Sequence, residues 1–208
     1  SIDDNTVNFD GINYFNWNEN SVFVELRHTD ITSWVTNNQV YNVKYGVFTE
    51  ACTDLSISNN TMDMEVQSND PTYSSKLNDN SIGILARNIN NNIQSKTTIY
   101  NNTIKHAKIG IQAWFSSERI EGNTIEDMND RFVQQSNCPP FFQCPPASPA
   151  YRIRVLNTAD GYVVERNKVE LTLANYTSSP NTDQKVIGIS LENTANANNN
   201  ESFVNCNS

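Results

Sequence analysis

Ile99-Tyr100-Asn101-Asn102-Thr103-Ile104 is one copy of a six-residue phrase that recurs along the chain. Other copies occupy residues 35–40, 57–62, 120–125, 164–169 and 203–208, and in five of the six copies an apolar residue stands first and sixth and Asn fourth. Such a phrase predicts two short strands around a polar turn. The residues at the fourth position are Asn38, Asn60, Asn102, Asn123, Asn167 and Cys206.

A second phrase, a Gly followed by a short alternating apolar strand, runs in step with the first. It begins at Gly46, Gly83, Gly110 and Gly188, with weaker versions at residues 23–27 and 152–156. Two of the spacings between fourth-position residues are 22 and 21, and no stretch shows a sustained helical period. A repeat of about 22 residues built from short strands predicts a solenoid.

The repeat resembles that of right-handed parallel β-helix proteins, the pectate-lyase-like solenoids, over roughly residues 20–208. The resemblance implies an all-β fold of about six to seven coils, in which Asn side chains about 4.8 Å apart form a hydrogen-bonded ladder. We therefore predict a single domain over residues 1–208, with residues 15–18 as a degenerate copy. The last copy, with Cys206 in place of Asn, stops inside a coil, which favours a longer parent chain or a second copy stacked on it.

Long connections are predicted at one corner of the coil. The step from the ladder residue to the next Gly-led strand takes 8 residues in two coils, but 23, 29 and 21 residues after positions 60, 123 and 167. Three long loops leaving one corner would form a wall beside the Gly-led strand. The loops gather there either because they form a binding surface or because this corner of the coil tolerates insertions best.

Composition and charge limit the partners to be expected. The 208 residues carry a formal net charge of −9, which makes nucleic acid an unsuitable partner. No apolar run approaches the roughly 20 residues of a membrane span. The first residue is Ser with no signal peptide before it, which indicates a processed or excised chain. Asn is abundant, with 34 residues, and suits turns and stacked amides better than helices.

The cysteines favour an oxidising compartment, and therefore a secreted or cell-surface protein. Cys138 and Cys144 lie in the largest, Pro-rich loop and are close enough in sequence for a local disulfide. Cys52 and Cys206 would lie roughly 19 Å apart along the axis, too far to bridge. Four sequons are candidate glycosylation sites, although an Asn-rich chain produces such triplets by chance: Asn59, Asn101, Asn175 and Asn200.

The first candidate site is the outward face of the Gly-led strand. Alternation places Trp114 outward, between Arg87 and Arg154 on neighbouring coils, with Glu50 and Glu192 further along. An exposed indole flanked by hydrogen-bonding charges suits a sugar ring and its hydroxyls or carboxylates. The alternative is that Trp114 is covered by the largest loop and anchors it.

A second candidate set, Asp63, Lys105 and Glu126, points outward from three successive Asn-led strands. The resemblance implies a polysaccharide-lyase interpretation, in which a basic residue removes the proton next to a uronate carboxylate. Acidic side chains, often through Ca²⁺, offset the carboxylate charge in such enzymes. Lys105 would then be the base. Alternating charges on neighbouring strands also arise as ordinary cross-strand pairs, and no run of residues matches a known lyase family.

The sequence favours a non-enzymatic extracellular module, adhesive or filament-forming, that contacts glycans around Trp114 and associates end to end. The alternative is a polysaccharide lyase or epimerase that acts on an acidic polysaccharide. A third interpretation, a phage tailspike segment, fits poorly with a disulfide loop. We predict no cofactor and no metal ion for the module, and Ca²⁺ only for the lyase.

Overall fold

The structure is a computed structural model, and all of its regular secondary structure is β-strand among the residues that it describes. The described residues are 1–8, 22–29, 31–64, 81–87, 96–115, 117–126, 150–157, 162–170, 186–192, 203–205 and 207.

Three parallel sheets of seven, six and six strands make up these coils. Sheet A contains β1 (Ile2–Asp3), β4 (Ser33–Thr36), β7 (Leu55–Ser58), β10 (Lys96–Tyr100), β13 (Ser117–Glu121), β16 (Val163–Glu165) and β19 (Phe203–Asn205). Sheet B contains β2 (Thr6–Asn8), β5 (Gln39–Tyr41), β8 (Thr61–Asp63), β11 (Thr103–Lys105), β14 (Thr124–Glu126) and β17 (Lys168–Val169). Sheet C contains β3 (Val22–Arg27), β6 (Tyr45–Glu50), β9 (Ile82–Arg87), β12 (Ile109–Trp114), β15 (Ala150–Leu156) and β18 (Val186–Glu192).

Neighbouring strands in every sheet are three elements apart in the chain, so each coil contributes one strand to each sheet. This arrangement confirms the predicted fold, a right-handed parallel β-helix. The recurring phrase spans the end of a sheet A strand, a two-residue turn and the following sheet B strand.

The turn between sheets A and B has the same conformation in successive coils. Its first residue is left-handed, with φ between 53° and 66°. Asn and Gly tolerate this conformation better than most residues, which explains the Asn-Asn dipeptides of the repeat. The first turn residues are Asp4, Asn37, Asn59, Asn101, Gly122 and Arg166. The second turn residue is the ladder Asn.

The predicted Asn ladder is present and longer than expected. The backbone N–H and Nδ2 of each ladder Asn donate to Oδ1 of the next at 2.9–3.1 Å. An Asn buried between coils thus satisfies its own polar groups and those of its neighbour. The ladder consists of Asn5, Asn38, Asn60, Asn102, Asn123, Asn167 and Asn207.

The expected register of the last copy was wrong. The last ladder residue is Asn207 and not Cys206, because Val204 and not Phe203 pairs with Val164. The first copy is residues 2–7, with Asn5 in the ladder. Residues 15–18, and Cys206 itself, lie outside the described residues.

The core is a set of inward columns of Val, Ile and Met. At the start of the sheet C strands, Gly46, Gly83 and Gly110 allow close packing, because a Cβ there would lie 2.5–2.7 Å from neighbouring atoms. In one coil the equivalent residue is Arg152, which is fully buried and donates from Nε to the Glu170 carbonyl at 2.7 Å.

The long connections all join sheet B to sheet C, as predicted. They span residues 64–81, 127–149 and 170–185, and a fourth spans 9–21. The same corner is crossed in only three residues at 42–44 and at 106–108.

Candidate functional site

The outward face of sheet C carries two columns of side chains. One column contains Glu25, Phe48, Leu85, Gln112, Arg154 and Ser190. The other contains Arg27, Glu50, Arg87, Trp114, Leu156 and Glu192. Trp114 therefore lies directly between Arg87 and Leu156, while Arg154 belongs to the adjacent column.

Part of this outward face is buried. Phe48, Ile82 and Leu85, each 8% exposed, form an apolar cluster with Tyr45 and Ile109 packed against it. Phe48 and Leu85 point away from the core, as alternation along a strand requires, but they are not open to solvent. The exposed side chains of this face include Glu25 and Arg27 on β3 and Trp114 at the end of β12.

Glu50 and Arg87 form a compact cluster with Arg27 around Phe48. Arg87 donates from Nε and an Nη atom to Glu50 Oε2 at 3.2 and 2.8 Å, and Arg27 lies 3.4 Å from the same oxygen. Both guanidinium groups lie over the Phe48 ring, at 5.2 Å for Arg27 and 4.7 Å for Arg87. The hydrogen bond from Arg87 lowers the pKa of Glu50. Glu50 and Arg87, both predicted to contact a ligand, are thus bound to each other.

Trp114 is at the end of β12, 36% exposed, and stacks on Phe115 with ring centroids 5.6 Å apart and an angle of 21° between the planes. Phe115 is 38% exposed and has a left-handed φ of 57°. Its N–H donates to the Leu156 carbonyl at 3.0 Å, which fixes this turn against the next coil. The residue at the same turn of that coil is Asn157. The two rings form an offset-stacked aromatic pair on the surface.

The left-handed conformation of Phe115 has an energetic consequence. For residues with a Cβ this conformation costs roughly 1–2 kcal/mol, and a bulky residue in it often lies at a functional site. Sequence reasoning found Trp114 but missed Phe115, although the Trp-Phe dipeptide at a strand end was visible.

Arg154 and Glu192 form a bidentate pair on the other side of the aromatic pair. Both hydrogen bonds are 2.9 Å long, and Ser190 Oγ donates to the same carboxylate. Arg154 also lies 4.4 Å from the centre of the Tyr151 ring. The pairing lowers the pKa of Glu192 and raises that of Arg154. The structure thus brings the five predicted residues onto one face, with the charged ones paired.

The residues of the second candidate set lie in register on β8, β11 and β14. Lys105 Nζ is 2.7 Å from Glu126 Oε1, and Asp63 Oδ1 is 2.7 Å from His106 Nδ1. His106, which sequence reasoning left out, follows β11 in a left-handed turn. The arrangement is one cross-strand ion pair, between Lys105 and Glu126, and one hydrogen bond, between Asp63 and His106.

Other predicted sites are only partly described. Asn59 and Asn101 are exposed first residues of their turns, whereas Asn175 and Asn200 lie outside the described residues. Cys138 and Cys144 are also outside them, and Cys52 is a buried free thiol. Among the described residues, no group of three or more His, Cys, Asp or Glu side chains is placed to hold a metal ion. The described segments include no apolar helix of membrane-spanning length.

Comparison of the chain with protein-family models, with curated proteins and with solved structures finds no significant match. The sheet topology and the ladder hydrogen bonds define the class of protein: it is a parallel β-helix protein with an Asn ladder.

Proposed function

We propose that the protein is an extracellular structural or adhesive β-helix module that contacts glycans through the Trp114–Phe115 aromatic pair. The observation that carries the proposal is the exposure of both stacked rings at the end of β12. The apolar face of a pyranose packs well on such rings, and neighbouring N–H groups can bond its hydroxyls. A site held by paired strands on both sides needs little ordering on binding.

The test is a binding titration of soluble glycan oligosaccharides, neutral and acidic, by calorimetry. Trp114→Ala is expected to weaken binding at least about tenfold, which corresponds to ~1.4 kcal/mol. Trp34→Ala is the matched control, because Trp34 is another exposed Trp, 49% exposed, on sheet A. Loss of binding in the Trp34 variant with full binding in the Trp114 variant would refute the proposed site.

The same preparation tests the enzymatic alternative. Incubation with uronate polysaccharides would give unsaturated chain ends, detectable by ultraviolet absorbance, if the protein were a lyase with Lys105 as base. Product formation that Lys105→Ala abolishes would replace the proposal by the lyase interpretation. The pairing of Lys105 with Glu126 instead supports a structural role.

End-to-end self-association is a second proposed property. Its support is the exposure of Leu191 on β18 and Val204 on β19, which are the last described strands of sheets C and A. Both residues are in columns that face inward elsewhere. The coil of a second copy would cover them. Sedimentation velocity over a range of concentrations is expected to show association, and Val204→Asp to weaken it. A monomer at every concentration would contradict this property.

A further inference from the structure

The charged groups around the aromatic pair are already neutralised by one another. The outer face of sheet C has three arginines, Arg27, Arg87 and Arg154, paired with three glutamates, Glu25, Glu50 and Glu192. The charges on this face therefore sum to zero, while the chain as a whole carries a formal net charge of −9. An anionic ligand would approach a surface with no excess of positive charge.

The arginines are also fixed in place. Arg154 uses Nε and an Nη atom for Glu192, and Arg87 uses the same pair of donors for Glu50. Each guanidinium in addition lies over an aromatic ring. A uronate carboxylate that took over Arg87 would leave the Glu50 side chain, only 10% exposed, with the longer 3.4 Å contact from Arg27. One that took over Arg154 would leave Glu192 with the Ser190 hydroxyl alone. Either exchange is unfavourable because it weakens the pairing of a partly buried charge.

A sugar hydroxyl can bind without displacing either glutamate from its arginine. A guanidinium has five N–H donors, of which each bidentate pair uses two. The side chains of Arg87 and Arg154 keep 27% and 26% of their surface exposed, so further donors can reach a hydroxyl oxygen without disturbing the pairs. The apolar ring face would then stack on the Trp114–Phe115 pair.

We propose that the ligand of this face is a neutral glycan, a polymer of uncharged hexoses, and not a uronate or sulfated one. This inference rests on the proposed glycan contact and names the class of glycan. The paired arginines set the specificity: they hydrogen-bond hydroxyls, and their glutamate partners exclude carboxylates.

The experiment compares a neutral glucan oligosaccharide with its carboxylated counterpart of the same linkage and length, each at low and high salt. We expect the neutral ligand to bind about tenfold more tightly or better, with an affinity that salt leaves unchanged. Tighter binding of the carboxylated ligand, weakened by salt and by Trp114→Ala, would overturn the inference and keep the glycan site. Failure of both ligands to bind would refute the proposed function itself.

A variant tests the role of the pairs directly. Glu192→Gln frees Arg154 and is expected to raise the affinity for the carboxylated oligosaccharide, relative to that for the neutral one, about tenfold. Glu170→Gln, which removes a carboxylate from the Lys168 ion pair near sheet B, is the control. Equal effects of the two variants on the carboxylated ligand would contradict the proposed exclusion.

Discussion

Replacing Asn102 by Ala is expected to destabilise the protein more than any surface change, because Asn102 is a buried central residue of the ladder. Its Oδ1 accepts the backbone N–H and Nδ2 of Asn60 at 3.1 and 2.9 Å. Its Nδ2 donates to Asn123 Oδ1 and to the Ile57 carbonyl, both at 3.0 Å. Alanine removes all four of these bonds and leaves a buried N–H behind.

The expected size follows from the groups that lose a partner. A buried polar group left unsatisfied costs about 1–3 kcal/mol, so the Asn60 N–H and one further group give a loss of about 2–5 kcal/mol. Domains of this size are stable by about 5–15 kcal/mol, so the loss is a large fraction of the total stability. Asn102→Asp is expected to cost at least as much, since it keeps the acceptor, loses the donor and buries a charge.

The assay is urea unfolding followed by Trp fluorescence, with the free energy of unfolding and the m-value compared between variants. Asn101→Gly is the matched control: Asn101 is the exposed first residue of the same turn, with φ of 53°, and the next coil has Gly122 there. We expect the control to stay within about 1 kcal/mol of wild type. If Asn102→Ala lost no more than Asn101→Gly, the ladder would not stabilise the stack as argued.

Three further predictions follow from the packing and the ion pairs. Gly83→Ala places a Cβ 2.6 Å from Ile104 Cγ2 and 2.7 Å from the Gly110 carbonyl oxygen and is expected to cost about 1–3 kcal/mol by urea unfolding; full stability of the variant would refute the clash. The hydrogen bond from Arg87 lowers the pKa of Glu50 from 4.5, so the pair stabilises the fold above about pH 4.5, and this contribution is lost as pH falls through the lower pKa of the folded state. Glu50→Gln should therefore reduce the loss of stability at acid pH in a curve of unfolding free energy against pH. An unchanged acid part of the curve would contradict this. Lys105→Ala removes a part-exposed ion pair and should lower the free energy of unfolding by less than about 1 kcal/mol. A much larger loss would contradict the expectation that this pair contributes little to stability.

The fold could be predicted because one residue type recurs at one turn. Asn102 and its equivalents are required by hydrogen bonding between coils, so their spacing indicates the period directly. The register failed at the last copy because Phe203 and Val204 are adjacent and both apolar, so alternation alone does not decide which one faces the core. The first copy, Ile2 to Val7, matches the phrase fully, with Asn5 at its fourth position, so the sequence itself contains this signal.

The candidate site was predicted less completely. Alternation found the face of Trp114 and its columns, because side-chain direction in a strand depends only on position. It could not show that Phe48 is buried on that same face, since burial depends on what packs over a strand. It also gave no pairing for Arg154 and Glu192, which lie in different columns and meet diagonally across two strands.

The measurement that tests the central claim most directly is a titration of ¹⁵N-labelled protein with a neutral oligosaccharide, followed on the indole N–H signals. The chain has three Trp residues and therefore three such signals. If the aromatic pair on sheet C is the glycan contact, the Trp114 signal, assigned with Trp114→Phe, shifts in a saturable way while the Trp34 signal stays in place. A shift of the Trp34 signal with that of Trp114 unmoved, or three unmoved signals, would contradict the account.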